Sequence, residues 1–348
     1  MNRQFPAFRG IAILLVIINH SIVLSLLNTS QYDLPKPGVI ETNILLFIKE
    51  IGVIAVPTFL FLAGSFMVYS LRNKPILKAY KMLLPALQNA IVPYVIWSLV
   101  FYLTVFFVRG EIYDIFGYLK NILVGYPYNF IPILVFYILL SPLILKLAEK
   151  YPFLTMLIFG GIQVVLANIS VPGIIGFKFP EVMKLLAPPV LRIPLALWAV
   201  FYPFGIVFSL HSNKIQPWLK KYWWIFALSA FCLYLVASLQ EVGYLEFKAA
   251  EWLLPVFVIP LYTIVERKKI PIVSFLEKMG KRSYGIYLLN IIFITTFVYL
   301  TATYLPWLYH ILSLHIIIIS LFTLGISTWI MDTTEKRTGR NVYRSIFG

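Results

Sequence analysis

Long apolar stretches alternate along the chain with short segments that carry most of its polar and basic residues. The hydrocarbon core of a bilayer, about 30 Å thick, takes roughly 20 mainly apolar residues per helical crossing. Ten stretches meet that requirement: 7–27, 51–71, 83–108, 128–147, 153–169, 190–210, 222–239, 251–266, 283–303 and 308–331. Continuous apolar runs predict helices, since lipid cannot satisfy open backbone groups and a membrane barrel would need short alternating strands. The pattern therefore predicts an all-α, polytopic membrane protein with about ten transmembrane helices in one bundle. No intervening segment is long enough for a soluble domain. Residues 1–332 read as one transmembrane domain and residues 333–348 as a short basic tail. Pro57, Pro93, Pro132, Pro142 and Pro203 fall inside these stretches and predict bent helices around a cavity.

Composition narrows the class. The chain is 60% hydrophobic and 12% charged, against about 45–50% and about 25% in soluble domains. A soluble, disordered or nucleic-acid-binding protein is excluded. The net charge of +15 then belongs to membrane flanks. With the N-terminus in the cytoplasm, 21 of the 29 basic residues fall on the inner side, Arg3 and Arg9 among them. That bias predicts a multi-pass cell-membrane protein with both termini cytoplasmic. Asn19, His20 and Ser21 interrupt the first stretch, and no small-residue cleavage site follows, so it is expected to remain as an uncleaved helix. The single cysteine, Cys232, excludes an internal disulfide or cysteine metal cluster and is expected to be a buried, inert thiol.

Two polar residues of the first span carry chemistry. Arg9 and His20 are 11 residues apart, which is three turns plus about 20° and about 16 Å along the axis. Both side chains then lie on one stripe with Ile13 and Val16, Arg9 at the cytoplasmic boundary and His20 near mid-membrane. Alone, Arg9 could snorkel and His20 could bond a neighbouring helix. As an aligned pair they suit a reaction: histidine exchanges a proton with a hydroxyl near neutral pH, and arginine grips phosphate or an oxyanion. The reading requires the two groups to line one continuous channel, and a wall of packed side chains between them would count against it. Asn19 and Ser21 point about 100° to either side and are expected to be helix contacts. His211 is expected to be solvated, and His310 and His315 point away from each other. No HExxH, P-loop or GxSxG motif occurs, so no resident metal and no serine triad is expected.

The run from Phe8-Arg9-Gly10-Ile11-Ala12 to Asn19-His20 resembles the opening of the acyltransferase-3 family of integral membrane acyltransferases, in which an Arg or Lys precedes a His by the same spacing. Further stretches match in order. Val56-Pro57-Thr58-Phe59-Leu60-Phe61-Leu62-Ala63-Gly64 is similar to the family's VPxFFxxSG segment, and Val92-Pro93-Tyr94 to the start of its third span. Asn129-Phe130-Ile131 with Tyr137 and Pro142 is similar to its WFL…Y…P helix. The stretch Lys281 to Asn290, containing Ser283, Tyr284 and Tyr287, is similar to its SYxxYLxH element. The likeness covers roughly residues 5–330. It departs at Ala63 (usually Ser), Phe130 (usually Trp) and Asn290 (usually His), and Ala86 and Asn89 stand where an RxxR pair is usual. Lys78 and Lys81, with Arg72 and Lys74, keep a basic cluster nearby.

The resemblance implies a membrane O-acyltransferase, in particular an O-acetyltransferase. It would move an acyl group from cytoplasmic acyl-CoA, a donor substrate with no bound cofactor beside it, to a hydroxyl of a cell-envelope glycan or lipid-linked glycan. His20 would serve as base or acyl relay and Arg9 would hold the donor. Arg72, Lys78 and Lys81 are expected at the donor phosphates. Arg192, Glu251, Tyr126 and Asn129 are expected at the acceptor, while Gly64, Ser283, Tyr287 and Asn290 are the remaining motif positions. The expected partners are thus acyl-CoA, a carbohydrate acceptor and membrane lipid. Two other readings fit a kinked bundle: an exporter of a polysaccharide or lipid-linked sugar, though no paired broken helices are evident, and a structural partner.

Overall fold

The computed structural model describes residues 4–174, 176–246 and 249–348; Arg3 lies outside them. The described residues are helical throughout, with short connections and no strand. The first half of the chain forms α1 (Phe5–Gln31), α2 (Val39–Ile51), α3 (Ala55–Leu71), α4 (Ile76–Arg109), α5 (Ile115–Val124) and α6 (Phe130–Lys150). The second half forms α7 (Pro152–Ser170), α8 (Arg192–Trp198), α9 (Phe201–Glu241), α10 (Ala249–Tyr262), α11 (Val273–Tyr304) and α12 (Leu312–Phe347). Eight of the described helical stretches, with α2 and α3 counted as one, are long and apolar enough to cross a membrane.

The remaining passes come from two elements whose lengths depart from expectation. At 41 residues α9 would measure about 61 Å if straight, twice the hydrocarbon core. Non-helical dihedrals at His211 and Tyr222 break it. His211 Nε2 bonds Ala148 O (2.8 Å) at one end of the bundle, whereas the Tyr234 hydroxyl donates to Phe47 O (2.9 Å) near the other. The helix therefore runs down, turns and climbs back, so the stretches 190–210 and 222–239 are two antiparallel limbs. His211 holds this turn instead of standing in solvent. The tenth pass is α10, only 14 residues long and carrying Pro255 and Pro260. Followed this way, the described chain traverses the bundle ten times and its two ends meet at the end that holds the basic loops.

Backbone contact at glycines sets the central packing. A Cβ on Gly280 of α11 would lie 1.8 Å from Pro6 O, and one on Gly10 of α1 would lie 2.0 Å from Leu276 O. The same holds for Gly64 of α3 against Tyr202 O (2.1 Å) and Gly205 of α9 against Phe61 O (2.0 Å). Small residues at these crossings let membrane helices approach closely where burial in lipid supplies little driving force. The pairs α1–α11 and α3–α9 thus form the middle of the bundle.

Three of the five prolines bend nothing. Pro57, Pro132 and Pro203 sit in the first turns of α3, α6 and α9, where a missing N–H costs no helical bond. Pro93 and Pro142 are interior, joined by Pro85. Cys232 is exposed, contrary to expectation: its apolar surroundings are the lipid-facing side of α9, not the core. Residues 333–347 of the basic tail are helical. They continue α12 to a break at Gly339 (φ 78, ψ 174) and fold back, burying Phe347 against the bundle.

Candidate functional site

Arg9 lines a cavity of about 320 Å³ that opens at the basic end. The one-stripe geometry of α1 turns its guanidinium inward, and no carboxylate among the described residues lies within ion-pairing distance of it. Lys281 and Arg282 of α11 share the cavity, and Arg282 is itself held by Asp332 and Glu335 of α12. Ser283 presents a buried hydroxyl there without a partner. Phe347 and Gly348 of the folded-back arm close one side: Phe347 stacks on Trp97 (5.7 Å), and Trp97 Nε1 donates to Ile346 O (2.8 Å).

His20 lines a second cavity of about 200 Å³, with Asn19, Trp198, Glu251 and Trp252. Its ring is oriented by Asn290, whose Oδ1 lies 2.8 Å from His20 Nδ1. The amide orientation follows from the hydrogen-bond network, because Asn290 Nδ2 donates to Tyr287 O (2.5 Å) and Ile286 O (3.3 Å). Oδ1 can then only accept, so the proton sits on Nδ1 and the Nε2 lone pair is left for chemistry. Asn290, at a position where a second base was absent by sequence, is the residue that fixes the tautomer of the first.

The two cavities share no lining residue. The expectation of one continuous channel is therefore corrected for this conformation. Phe59, Phe130 and Tyr287 face the Arg9 cavity at its deep end, with ring centroids 5.9 Å apart for Phe59–Phe130 and 5.7 Å for Phe130–Tyr287. The periodicity of α1 sets azimuth and depth, but what fills the space between two residues comes from other helices, and here it is aromatic.

The other expected site residues divide. Glu251 lines the His20 cavity. Tyr126 and Asn129 line an adjoining cavity of about 460 Å³ with Tyr113 and Asn121, and this cavity shares Leu197 and Trp198 with that of His20. The Asn121 Nδ2 is buried there without a partner. Tyr113 donates to Glu111 Oε2 (2.8 Å), and that bond holds its phenol up at about 12. Arg192 lines none of these cavities; its Nε donates to Lys184 O (3.1 Å) and Ala187 O (3.4 Å), pinning the segment before α8. Arg72, Lys78 and Lys81 are exposed and do not line the Arg9 cavity, whose further cations come from α11. Of the motif positions, Gly64 serves the α3–α9 crossing, Ser283 and Tyr287 face the Arg9 cavity, and Asn290 serves His20. Asn19 donates to Lys49 O (3.2 Å) and Ser21 meets Ser320 (3.1 Å), both helix contacts.

The acyltransferase-3 family model, described as an acyltransferase domain, matches residues 3–332. Neither the curated proteins nor the solved structures give a significant match. A match over almost the entire bundle makes the protein an enzyme that transfers acyl groups other than aminoacyl groups. This multi-pass membrane chain belongs to the acyltransferase-3 family.

Proposed function

We propose that the protein is a membrane O-acyltransferase, with acetyl-CoA as donor and a hydroxyl of a cell-envelope glycan as acceptor, the two reaching the reaction centre from opposite ends of the bundle. The observation that carries this reading is the pairing of an Arg9 with no carboxylate partner among the described residues, in a cation-lined cavity at the basic end, with a His20 that lines a cavity beyond it and is bonded to Asn290 through Nδ1. The positive-inside bias assigns the basic end to the cytoplasm, where acyl-CoA is found. Arg9 and Lys281 would meet the donor phosphates, Arg9 through its planar fork. The acceptor cavity offers the Trp198 and Trp252 rings, the Glu251 carboxylate and the Asn19 amide, groups that suit a sugar's faces and hydroxyls. The adjoining cavity with Tyr126 and Asn129 would extend that site.

In the reaction, His20 Nε2 takes the acceptor hydroxyl proton as the oxygen attacks the thioester carbonyl. The C–O bond forms, the C–S bond breaks, and the proton passes from the imidazolium to the departing thiolate. Asn290 keeps Nδ1 protonated and supports the imidazolium while it exists. Between the two cavities stands the aromatic wall, and the donor's thioester reaches His20 when those rings turn aside.

The reading is tested by comparing cell-envelope glycans with and without the protein by mass spectrometry. A mass increment of one acyl group per modified sugar, present only with the intact protein, is expected. Identical glycan profiles, together with no consumption of acetyl-CoA by the purified protein, would overturn it.

A further inference from the structure

The wall between the cavities is thin along α3, α11 and the α8–α9 junction, whereas on α1 two turns separate Arg9 from Val16. On α3, Val56 lines the His20 cavity and Phe59, three residues on, lines the Arg9 cavity. On α11, Asn290 holds His20 and Tyr287, three residues back, faces the Arg9 cavity. Between α8 and α9, Trp198 faces one side and Tyr202, four residues on, the other. Three or four residues amount to one turn, about 5.4 Å. On those three elements the wall is therefore one turn deep.

Its members are not equally fixed. The Tyr202 hydroxyl bonds Ser141 Oγ (2.6 Å) and its ring stacks on Tyr137 (4.9 Å). Phe59 and Phe130 have no polar atom to tether their rings, and they meet at a tilt of 47°. Both face the open space of the Arg9 cavity on one side, so rotation of their χ1 and χ2 has somewhere to go. Beyond them, the His20 cavity of about 200 Å³ leaves limited room for an incoming chain.

We infer that Phe59 and Phe130, closed over by Tyr287, form a septum that the thioester end of the donor must part to reach His20, and that these two rings restrict the transferred group to short acyl chains. The inference rests on the acyl-CoA reading above. Parting the rings for an acetyl group requires only rotamer changes, whereas each further methylene must find space between the same rings. Phe59 and Phe130 are thus specificity-determining residues that need not touch the acceptor.

The test compares acetyl-, butanoyl- and hexanoyl-CoA with the full-length wild type, Phe59→Ala, Phe130→Ala and the milder Phe59→Leu and Phe130→Leu. Removing ring bulk is expected to shift the kcat/KM ratio towards butanoyl and hexanoyl by about tenfold or more, the scale of one or more methylenes in an apolar site. Phe130→Trp is expected to shift it the other way. Unchanged ratios in all folded variants would overturn the septum. A second measurement separates this inference from the donor reading. Val56→Cys in a Cys232→Ser chain is exposed to a membrane-impermeant thiosulfonate from the basic end of oriented vesicles, with and without Phe59→Ala. Labelling that rises with Phe59→Ala supports the septum even if no acyl-CoA is consumed, in which case only the donor reading fails. Equal labelling with and without the ring would overturn the septum even if acetyl transfer is intact.

Discussion

Asn290 decides which nitrogen of His20 carries the proton. Because its Nδ2 is committed to two backbone carbonyls of α11, its Oδ1 must accept from Nδ1. Asn290→Leu removes that acceptor and releases the other tautomer, in which Nε2 carries the proton and cannot act as base. The expected result is a fall in kcat smaller than the roughly 10²–10⁴-fold of losing the general base itself, with the donor KM unchanged. Single-turnover and steady-state kinetics check it, and ¹⁵N shifts of the His20 ring give a readout that a merely structural role would not move. Arg9→Lys keeps the charge and loses the fork, so donor KM should rise while kcat changes less. The inward placement of Arg9 and His20 was legible in sequence because ionisable groups inside a span are costly and need an inward face. The role of Asn290 was not, since its contact with His20 spans 270 residues of sequence; a mid-span amide was the available signal. The donor-side lysines went astray for a related reason. Closeness to a span end fixes depth but not azimuth, so Lys78 and Lys81 landed on the surface while Lys281 faces the cavity. Cys232 shows the same gap from the apolar side, for hydropathy does not separate lipid from core.

Among the elements, the α1–α11 pair bears the site and depends on bare glycine surfaces. Gly280→Ala places a methyl 1.8 Å from Pro6 O, a clash with backbone that no side chain can yield to. An overpacking cost of about 1–3 kcal/mol is expected, read as a lower Tm in detergent, with loss of activity as Arg9 and His20 shift against α11. The folded-back arm depends on another glycine. At φ 78 and ψ 174, Gly339 occupies a region essentially closed to other residues. Gly339→Ala should cost about 1–3 kcal/mol in the docked form and loosen the arm, so trypsin should cut faster at Arg340 and Arg344, which are exposed on its outer face. An unchanged cleavage rate would refute the hinge assignment. Span positions were legible because a bilayer imposes a length on apolar runs. The arm was not, because its inward set of Tyr343, Ile346 and Phe347 is too short to stand out from a basic tail. The prolines misled for a local reason: first-turn and interior prolines differ only by where a helix begins.

For the whole molecule, ten traverses bring both described chain ends to the basic end, which the charge bias predicts to be cytoplasmic. Single cysteines at Asp33, between α1 and α2, and at Asn73, between α3 and α4, test this in a Cys232→Ser chain. On intact cells an impermeant reagent should label the first and spare the second. The same arrangement sets two cavities on either side of an aromatic wall that is one turn deep on α3 and α11, and under the proposed function a donor from one side and an acceptor from the other would need that wall to open. The most direct measurement is acyl transfer from radiolabelled acetyl-CoA by the purified protein and by its His20→Ala and Arg9→Ala variants, each verified as folded by its Tm. The account predicts His20-dependent consumption of the thioester and loss of nearly all turnover in both variants. Near-wild-type turnover by His20→Ala would contradict it.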